Sequence, residues 1–347
     1  MRIRTLTRPL TMVVATLALL AVLPVSAQSA QTIMLRVADT SPPTHYYVTQ
    51  GIKPWMDRVA ALSKTKVEFQ YFPSGQLGQL PDMLSILRSG VADIAYTPPS
   101  VLSGDFPLHT MWGLPGLCDN TAQGTAYLQL MHKEGPLRDE FTAHGVRPLL
   151  AWITPPCEIL SVKKAVAKLE DVKGLKLRSN GGTMDMEVKA LGGVPVLVMA
   201  ADTSTSLQRG TIDGAVFPYA SAVPYKLEEI CKYATLGARL SMSVACYSIS
   251  ERVWQKLPAD VREAMTKANE EVAPAFAKWQ DNRTMEVGSS YEKQGLQISR
   301  LQGDELQRWL KGLEPVNEEW LKQMAAKGVD GQKALDSYKK AKASLDR

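Results

Sequence analysis

Apolar positions along this chain switch repeatedly between strand and helix spacing. Ile33–Ala38 reads as a strand ending in the turn-rich Asp39-Thr40-Ser41-Pro42-Pro43. Val48, Ile52, Trp55, Met56, Val59 and Leu62 fall at helical intervals and predict a helix over residues 47–62. Val67–Phe72 alternates strictly, the mark of a half-buried strand. Residues 81–88 form a short predicted helix, with Pro81 in its first turn and Gly90 past its end. Residues 91–96 then read as a buried strand running into Thr97-Pro98-Pro99-Ser100. The order β-α-β-α-β is the grammar of an α/β sheet with ligand loops at strand ends.

The alternation continues with a helix over Thr121–Met131 and a strand over 147–152. A second set follows: strand 175–178, helix 184–191, strand Val194–Leu197, helix 203–209 and strand Gly214–Phe217. Two successive sets predict an α/β protein of two lobes with a cleft between them. Ala259–Lys293 is helical over an unusual length, with Pro274 as a kink position, and is long enough to brace both lobes. The expected division gives residues 28–153 and about 242–282 to an N-terminal lobe. Residues 154–241 and about 283–347 form the C-terminal one, with crossings at 152–154 and near Leu240.

The first residues bear on the compartment. Arg2, Arg4 and Arg8 precede an apolar run from Leu10 to Leu23, and Pro24-Val25-Ser26-Ala27 has the small residues of a cleavage site. A signal peptide over 1–27 and a periplasmic mature protein are expected. The competing reading, an uncleaved anchor, is disfavoured by the shortness of the run. The formal charge of +5 includes those three arginines; without them 37 basic residues face 35 acidic ones, or +2. No basic run is interleaved with aromatics, so no nucleic-acid partner is expected. Cys118, Cys157, Cys231 and Cys246 fit no zinc spacing; Cys246 reads as a buried free thiol, and one disulfide among the four stays open.

Candidate chemistry gathers at strand ends. Arg178 closes the strand Leu175-Lys176-Leu177-Arg178, just before the turn Ser179-Asn180-Gly181-Gly182-Thr183. That is where open α/β sheets bind ligands, and a guanidinium there matches a carboxylate with two parallel hydrogen bonds. The competing reading is a surface arginine. His45 and Tyr46 follow the loop after the first strand, where a helix entry with Tyr46 or Tyr47 packed on the lobe is the alternative. Tyr96 and Thr97 end the third strand, and Met199 and Phe217 follow or end later ones; core packing competes with a pocket wall at each. Trp152 stands at the expected crossing, as pocket wall or hinge. Asp213-Gly214 is expected to fix a turn.

Two groups of residues resemble a known family. Gln76-Leu77-Gly78, Met83-Leu84 and Gly90-Val91-Ala92-Asp93-Ile94 look like the amino-terminal signature of TRAP-transporter solute-binding proteins. Gly174-Leu175-Lys176-Leu177-Arg178 and Leu207-Gln208-Arg209-Gly210-Thr211-Ile212-Asp213-Gly214 are similar to its central signature. The resemblance implies two lobes closing on an organic acid, delivery to membrane permease subunits, and Arg178 as the partner of the ligand carboxylate. It also implies ligand-facing residues in the loop of His45. Two departures change the expected pocket. Sialic-acid members carry a second arginine in a Gly-Thr-Arg sequence, where this chain has Thr154-Pro155-Pro156-Cys157-Glu158. Many members have Glu-Asn-Pro where this chain has Val216-Phe217-Pro218. Both make the pocket less polar, and the expected ligand is a monocarboxylate with an apolar or aromatic body.

No catalysis, cofactor or metal is expected, and the protein is expected to be monomeric. His45, His109, His132 and His144 form no ligand-type motif, and neither a nucleophile elbow nor a phosphate-binding glycine loop is present. Cys157 beside Glu158 is the one pair that suggests a reactive thiol. The alternatives are a receptor for an ATP-driven importer or a sensor kinase, which would use the same closing lobes, and a secreted enzyme.

Overall fold

Eleven strands, in a computed structural model that describes residues 32–345, fall into two sheets. The expected signal peptide and its cleavage site lie outside the described residues. The first half of the chain supplies β1 (Ile33–Ala38), β2 (Val67–Phe72), β3 (Ile94–Tyr96) and β4 (Val146–Ile153). Next come β5 (Glu158–Ser161), β6 (Lys176–Ser179), β7 (Val194–Leu197), β8 (Gly214–Phe217) and β9 (Tyr233–Leu236). β10 (Val244–Ser250) and β11 (Gln297–Arg300) complete the set. The sheet orders are β2-β1-β3-β10-β4 and β11-β9-β5-β8-β6-β7. In the first, β10 runs antiparallel to β3 and β4; in the second, β5 runs antiparallel to β8 and β9. Both sheets are thus parallel sheets with one reversed inner strand.

The helices are α1 (Lys53–Leu62), α2 (Met83–Ser89), α3 (Thr121–Met131), α4 (Pro136–Ala143), α5 (Thr183–Ala190) and α6 (Thr203–Gln208). They continue with α7 (Tyr219–Ala222), α8 (Glu251–Lys256), α9 (Ala259–Lys293), α10 (Gly303–Leu313), α11 (Pro315–Ala326) and α12 (Gly331–Leu345). The helix predicted over 47–62 is two pieces: a wide π-turn over Tyr47–Ile52, then α1. Pro54 in the first turn of α1 has no N–H to give an upstream carbonyl, so it suits a helix start rather than an interior. The strand predicted over 91–96 shortens to β3. Gly90, at φ 77°, closes α2, and the Val91 N–H is spent on Ile86 O. α9 runs unbroken through Pro274.

The chain leaves the first sheet at 154–157, returns at 237–243, and crosses again along α9. The first two crossings pair with each other: Cys157 and Leu240 exchange both backbone hydrogen bonds, at 2.6 and 2.9 Å. Thr154 N–H donates to Ser243 O at 2.8 Å, and the Ser243 N–H returns to Thr154 Oγ1 at 3.0 Å. Asp281 of α9 accepts the N–H groups of Thr121 and Ala122 at the start of α3. The long helix therefore packs along the first half before reaching β11 in the second sheet. The last helix, α12, expected in the C-terminal lobe, packs on α3, α4 and the 107–113 turn of the first half. Its Tyr338 rests edge-on against Tyr127 and Trp112 and donates its hydroxyl to Leu117 O. All four cysteines are free thiols.

Glu187, on α5, is buried and accepts the Ser241 N–H, at 3.0 and 3.2 Å to its two oxygens. Burial pushes its pKa from 4.5 up to about 8, against the opposing pull of Ser241. The folded state therefore holds this proton more tightly than the unfolded chain does. The stabilisation is complete below the unfolded value and fades as pH rises through the folded one. Glu187→Gln keeps an acceptor for Ser241 and removes the ionisation. The melting temperature of the wild type should fall between pH 5 and 8 more steeply than that of Glu187→Gln; parallel slopes would exclude Glu187 as the titrating group.

Candidate ligand-binding site

The three parallel strands β6, β7 and β8 point their carboxyl ends the same way, and the site is built on them. Arg178 lies in register with Val196 of β7 and Ala215 of β8. Its Nε–H donates to Val198 O at 3.0 Å and an Nη1–H to Val216 O at 3.2 Å. The guanidinium stands over the Phe217 ring, 4.7 Å from its centroid. The two carbonyls and the ring hold the back of the fork, and its remaining donors face a cavity of about 120 Å³. The side chain is only 6% exposed. Burial pulls its pKa down to about 10, and no carboxylate among the described residues pairs with it. A buried cation held only by neutral groups is poised to take an anion.

The opposite wall comes from strand ends of the first sheet. Ser41, His45 and Tyr47 follow β1, and Tyr96 and Pro98 end and follow β3. The crossings supply Thr154, Cys157 and Ser243, β10 opens with Val244, and Met199 and Tyr225 complete the second-sheet side. Arg178 is the one charged lining residue among the described residues. Burial lowers the pKa of His45 to about 3, which leaves its ring neutral.

Of the residues singled out in the sequence, Arg178, Phe217, His45, Met199 and Tyr96 line this cavity, whereas Tyr46, Trp152 and Thr97 do not. Each of the three is displaced for a definite reason. Thr97 continues the pairing of β3 with β10 and hydrogen-bonds Ser248 Oγ at 2.6 Å; strand alternation sends it away while Tyr96 and Pro98 face in. Trp152 is fully buried one layer back, where its ring meets Tyr47 at 5.1 Å and Phe276 of α9 at 5.0 Å. Tyr46 turns toward α9, packing on Trp279 and Phe276, and its hydroxyl shares a 2.7 Å hydrogen bond with Ser221 Oγ of α7. Tyr47 takes the cavity position instead. Tyr225 carried no strand-end signal: it arrives two short helical turns after β8 and sets its ring against Phe217 at 5.9 Å and 70°.

Cys157 and Glu158 are neighbours in sequence but not in role. Glu158 is buried and accepts from Thr235 Oγ1 at 2.7 Å and from the N–H groups of Gly237, Ala238 and Arg239 at 3.0–3.5 Å. It thereby fixes the return crossing. Burial pushes the Cys157 thiol well above the ordinary range, so it stays protonated. Asp213 accepts the Lys176 N–H at 2.9 Å, a link to the base of β6 rather than a bond within its own turn. No His, Cys, Asp and Glu cluster among the described residues is placed to hold a metal, and no helix among them is long and apolar enough to cross a membrane.

The profile of the bacterial extracellular solute-binding proteins, family 7 (DctP), matches residues 38–323. The chain belongs to this family. A solute-binding protein of Albidiferax ferrireducens T118 is 25% identical over 264 residues, which cover 74% of this chain and 76% of that protein. Two crystal structures share the fold. One is a TRAP solute binding protein from Rhodoferax ferrireducens T118 in complex with copurified benzoate. It has a TM-score of 0.82 and 22% identity, covering 90% of this chain and 98% of its own. The other is a marine metagenome TRAP solute binding protein specific for aromatic acid ligands, with 3-hydroxybenzoate. It has a TM-score of 0.82 and 22% identity, covering 91% and 99%.

Tyr46→Phe removes a hydroxyl that joins the loop after β1 to Ser221 of α7. The net worth of such a bond is about 0.5–1.5 kcal/mol, so ligand affinity should fall by no more than about tenfold. The fall should appear mainly as faster release in stopped-flow traces. A loss as deep as that of an Arg178 variant would instead make Tyr46 a direct ligand contact.

Proposed function

We propose that this chain is the periplasmic receptor of a TRAP-type secondary transporter. It captures a monocarboxylate with an apolar or aromatic body between its lobes and presents it to the membrane permease subunits. The observation that carries this reading is the buried guanidinium of Arg178 with no carboxylate of its own. A ligand carboxylate would supply the missing counter-charge and take the free edge of the fork in two parallel bonds. The apolar leader at 1–27 supports export, and family membership supports capture rather than turnover. A protonated Cys157 with no activating base hydrogen-bonded to it among the described residues also fits a receptor better than an enzyme.

The rest of the lining supports the kind of acid. With His45 neutral, a second ligand carboxylate in this cavity would be desolvated without a cation to face it. The crossing that carries an arginine in sialic-acid members presents Thr154 and Cys157 here. Phe217, Tyr225, Met199, Met184 and Val244 offer carbon surface, suited to a ring or branched chain. The cavity volume of about 120 Å³ is below the roughly 300–1,000 Å³ of drug-sized sites, which favours a compact molecule. Aromatic 2-oxo and 2-hydroxy acids, aryl-propenoates and small branched hydroxy acids fit this description.

Two measurements test the reading. In a thermal-shift screen, arylcarboxylates should raise the melting temperature. Stabilisation by succinate-like diacids or sialic acid alone would overturn the ligand class. With a ligand so identified, calorimetry on Arg178→Ala should show a loss of about 3–5 kcal/mol, several hundredfold or more in affinity. Arg178→Lys should also bind poorly, because an ammonium lacks the planar fork. An affinity within a few-fold of wild type for the alanine variant would remove Arg178 from the site.

A further inference from the structure

The carboxylate anchor leaves a second polar group in the cavity without a role. His45 is buried, yet it lines the cavity across from the Arg178 wall. Its Nδ1 accepts the backbone N–H of Tyr47 at 3.1 Å. A backbone amide can only donate, so Nδ1 carries no proton, and the neutral ring must carry its proton on Nε2. Protonating the ring would set two N–H groups against each other at Nδ1. No carboxylate among the described residues pairs with the ring; its neighbours are the aromatic rings of Tyr46, Tyr47 and Tyr225 at 4.9, 4.4 and 5.8 Å. Burial works in the same direction.

The Nε2–H has no hydrogen-bond partner among the described residues, and it is not one of the unpartnered polar atoms sealed in the core. It therefore opens onto the cavity. A ligand that covers this donor with carbon strips it of water and returns nothing; a ligand that presents an oxygen there completes it. Sites built to hydrogen-bond a ligand group discriminate strongly against analogues that lack it, because their own polar atom is then left unpaired.

We propose that His45 is a specificity-determining residue of this site, a tautomer-fixed N–H donor that selects acids bearing a second oxygen acceptor (oxo, hydroxyl or phenol) besides the carboxylate held by Arg178. The proposal rests on the carboxylate-receptor reading of the cavity. It goes further by making oxygenated arylcarboxylates, rather than plain ones, the preferred ligands. It also assigns that preference to one nitrogen atom. The residue acts by recognition, and its fixed tautomer keeps the donor available throughout the neutral and mildly acidic range.

The test uses matched pairs of acids and the whole mature protein in calorimetry. Phenylpyruvate is compared with 3-phenylpropionate for an acceptor beside the carboxylate, and 3-hydroxybenzoate with benzoate for one on the ring. Wild type should favour the oxygenated member of at least one pair by about tenfold or more, equivalent to about 1.4 kcal/mol. His45→Phe should reduce that ratio to near one. His45→Gln, whose amide N–H can reach close to the Nε2 position, should restore part of the ratio even if the phenylalanine variant proves unstable. Equal binding within both pairs by wild type would overturn the role of His45 and leave the carboxylate reading intact. So would an equal weakening of all four acids in both variants, which would make His45 a second donor to the carboxylate itself. If wild type binds none of the four, the arylcarboxylate reading fails and this proposal falls with it.

Discussion

A guanidinium that keeps its charge while nearly all of it is removed from water is the constraint around which this molecule is arranged. Arg178 could be stabilised by a resident carboxylate, as Arg36 is by Asp93 and Arg147 by Glu251 nearer the surface. It has instead two backbone carbonyls and the face of a phenyl ring. These neutral groups orient the fork and only partly offset its desolvation. The deficit has to be tolerated by the surrounding packing, which explains why the cation sits on an inner strand of a sheet rather than on a loop. A strand flanked on both sides by paired neighbours has little freedom to swing the charge back toward solvent.

The remainder of the architecture serves to bring a second wall opposite that charge. Each sheet ends its parallel strands on the cavity side, and each takes in one reversed strand beside the crossings. Glu158 spends its carboxylate on the turn at 237–239. Glu187 holds Ser241, and Thr154 holds Ser243. The return crossing is therefore gripped at three successive points by side chains from the outgoing half. Tyr46 adds a fourth link, at the α9 side of the cavity, through Ser221. The side chains that look chemically suggestive near the cavity are thus mostly engaged with backbone, and their polarity goes into fixing geometry.

Much of this was legible in the sequence where periodicity is long or strict. The limits of α9 and of β2 were read from the spacing alone, and the ends of β1, β3, β6 and β8 located the cavity. The spacing does not predict the short strands β5, β9 and β11, and β5 opens on a buried glutamate. In α10 and α11, Trp309, Leu313, Val316, Trp320 and Met324 recur at helical spacing, so the sequence carries a signal for both helices. At the site, the strand-end rule chose the right segments but not the right faces. It could not tell Tyr47 from Tyr46, or Tyr96 from Thr97, because neighbouring residues diverge and only tertiary packing decides which one turns inward. Tyr225 lay beyond the reach of the rule altogether.

The position of β10 carries a consequence for how such a chain is made. This strand is wholly buried and separates β3 from β4 in the first sheet, yet it follows nearly the entire second sheet in sequence. Thr97 finds its partner Ser248 only 151 residues later. A chain emerging from its N-terminus can form the β1-β2-β3 edge early, but that sheet stays split until the second one has been synthesised. The first half is thus denied an autonomous folded state. Loop closure over so long a separation makes the assembly slow, with exposed strand edges waiting in the interval. A chain that matures late in this way suits a route in which it is held unfolded until complete, and it places its greatest exposure to aggregation before the cavity exists.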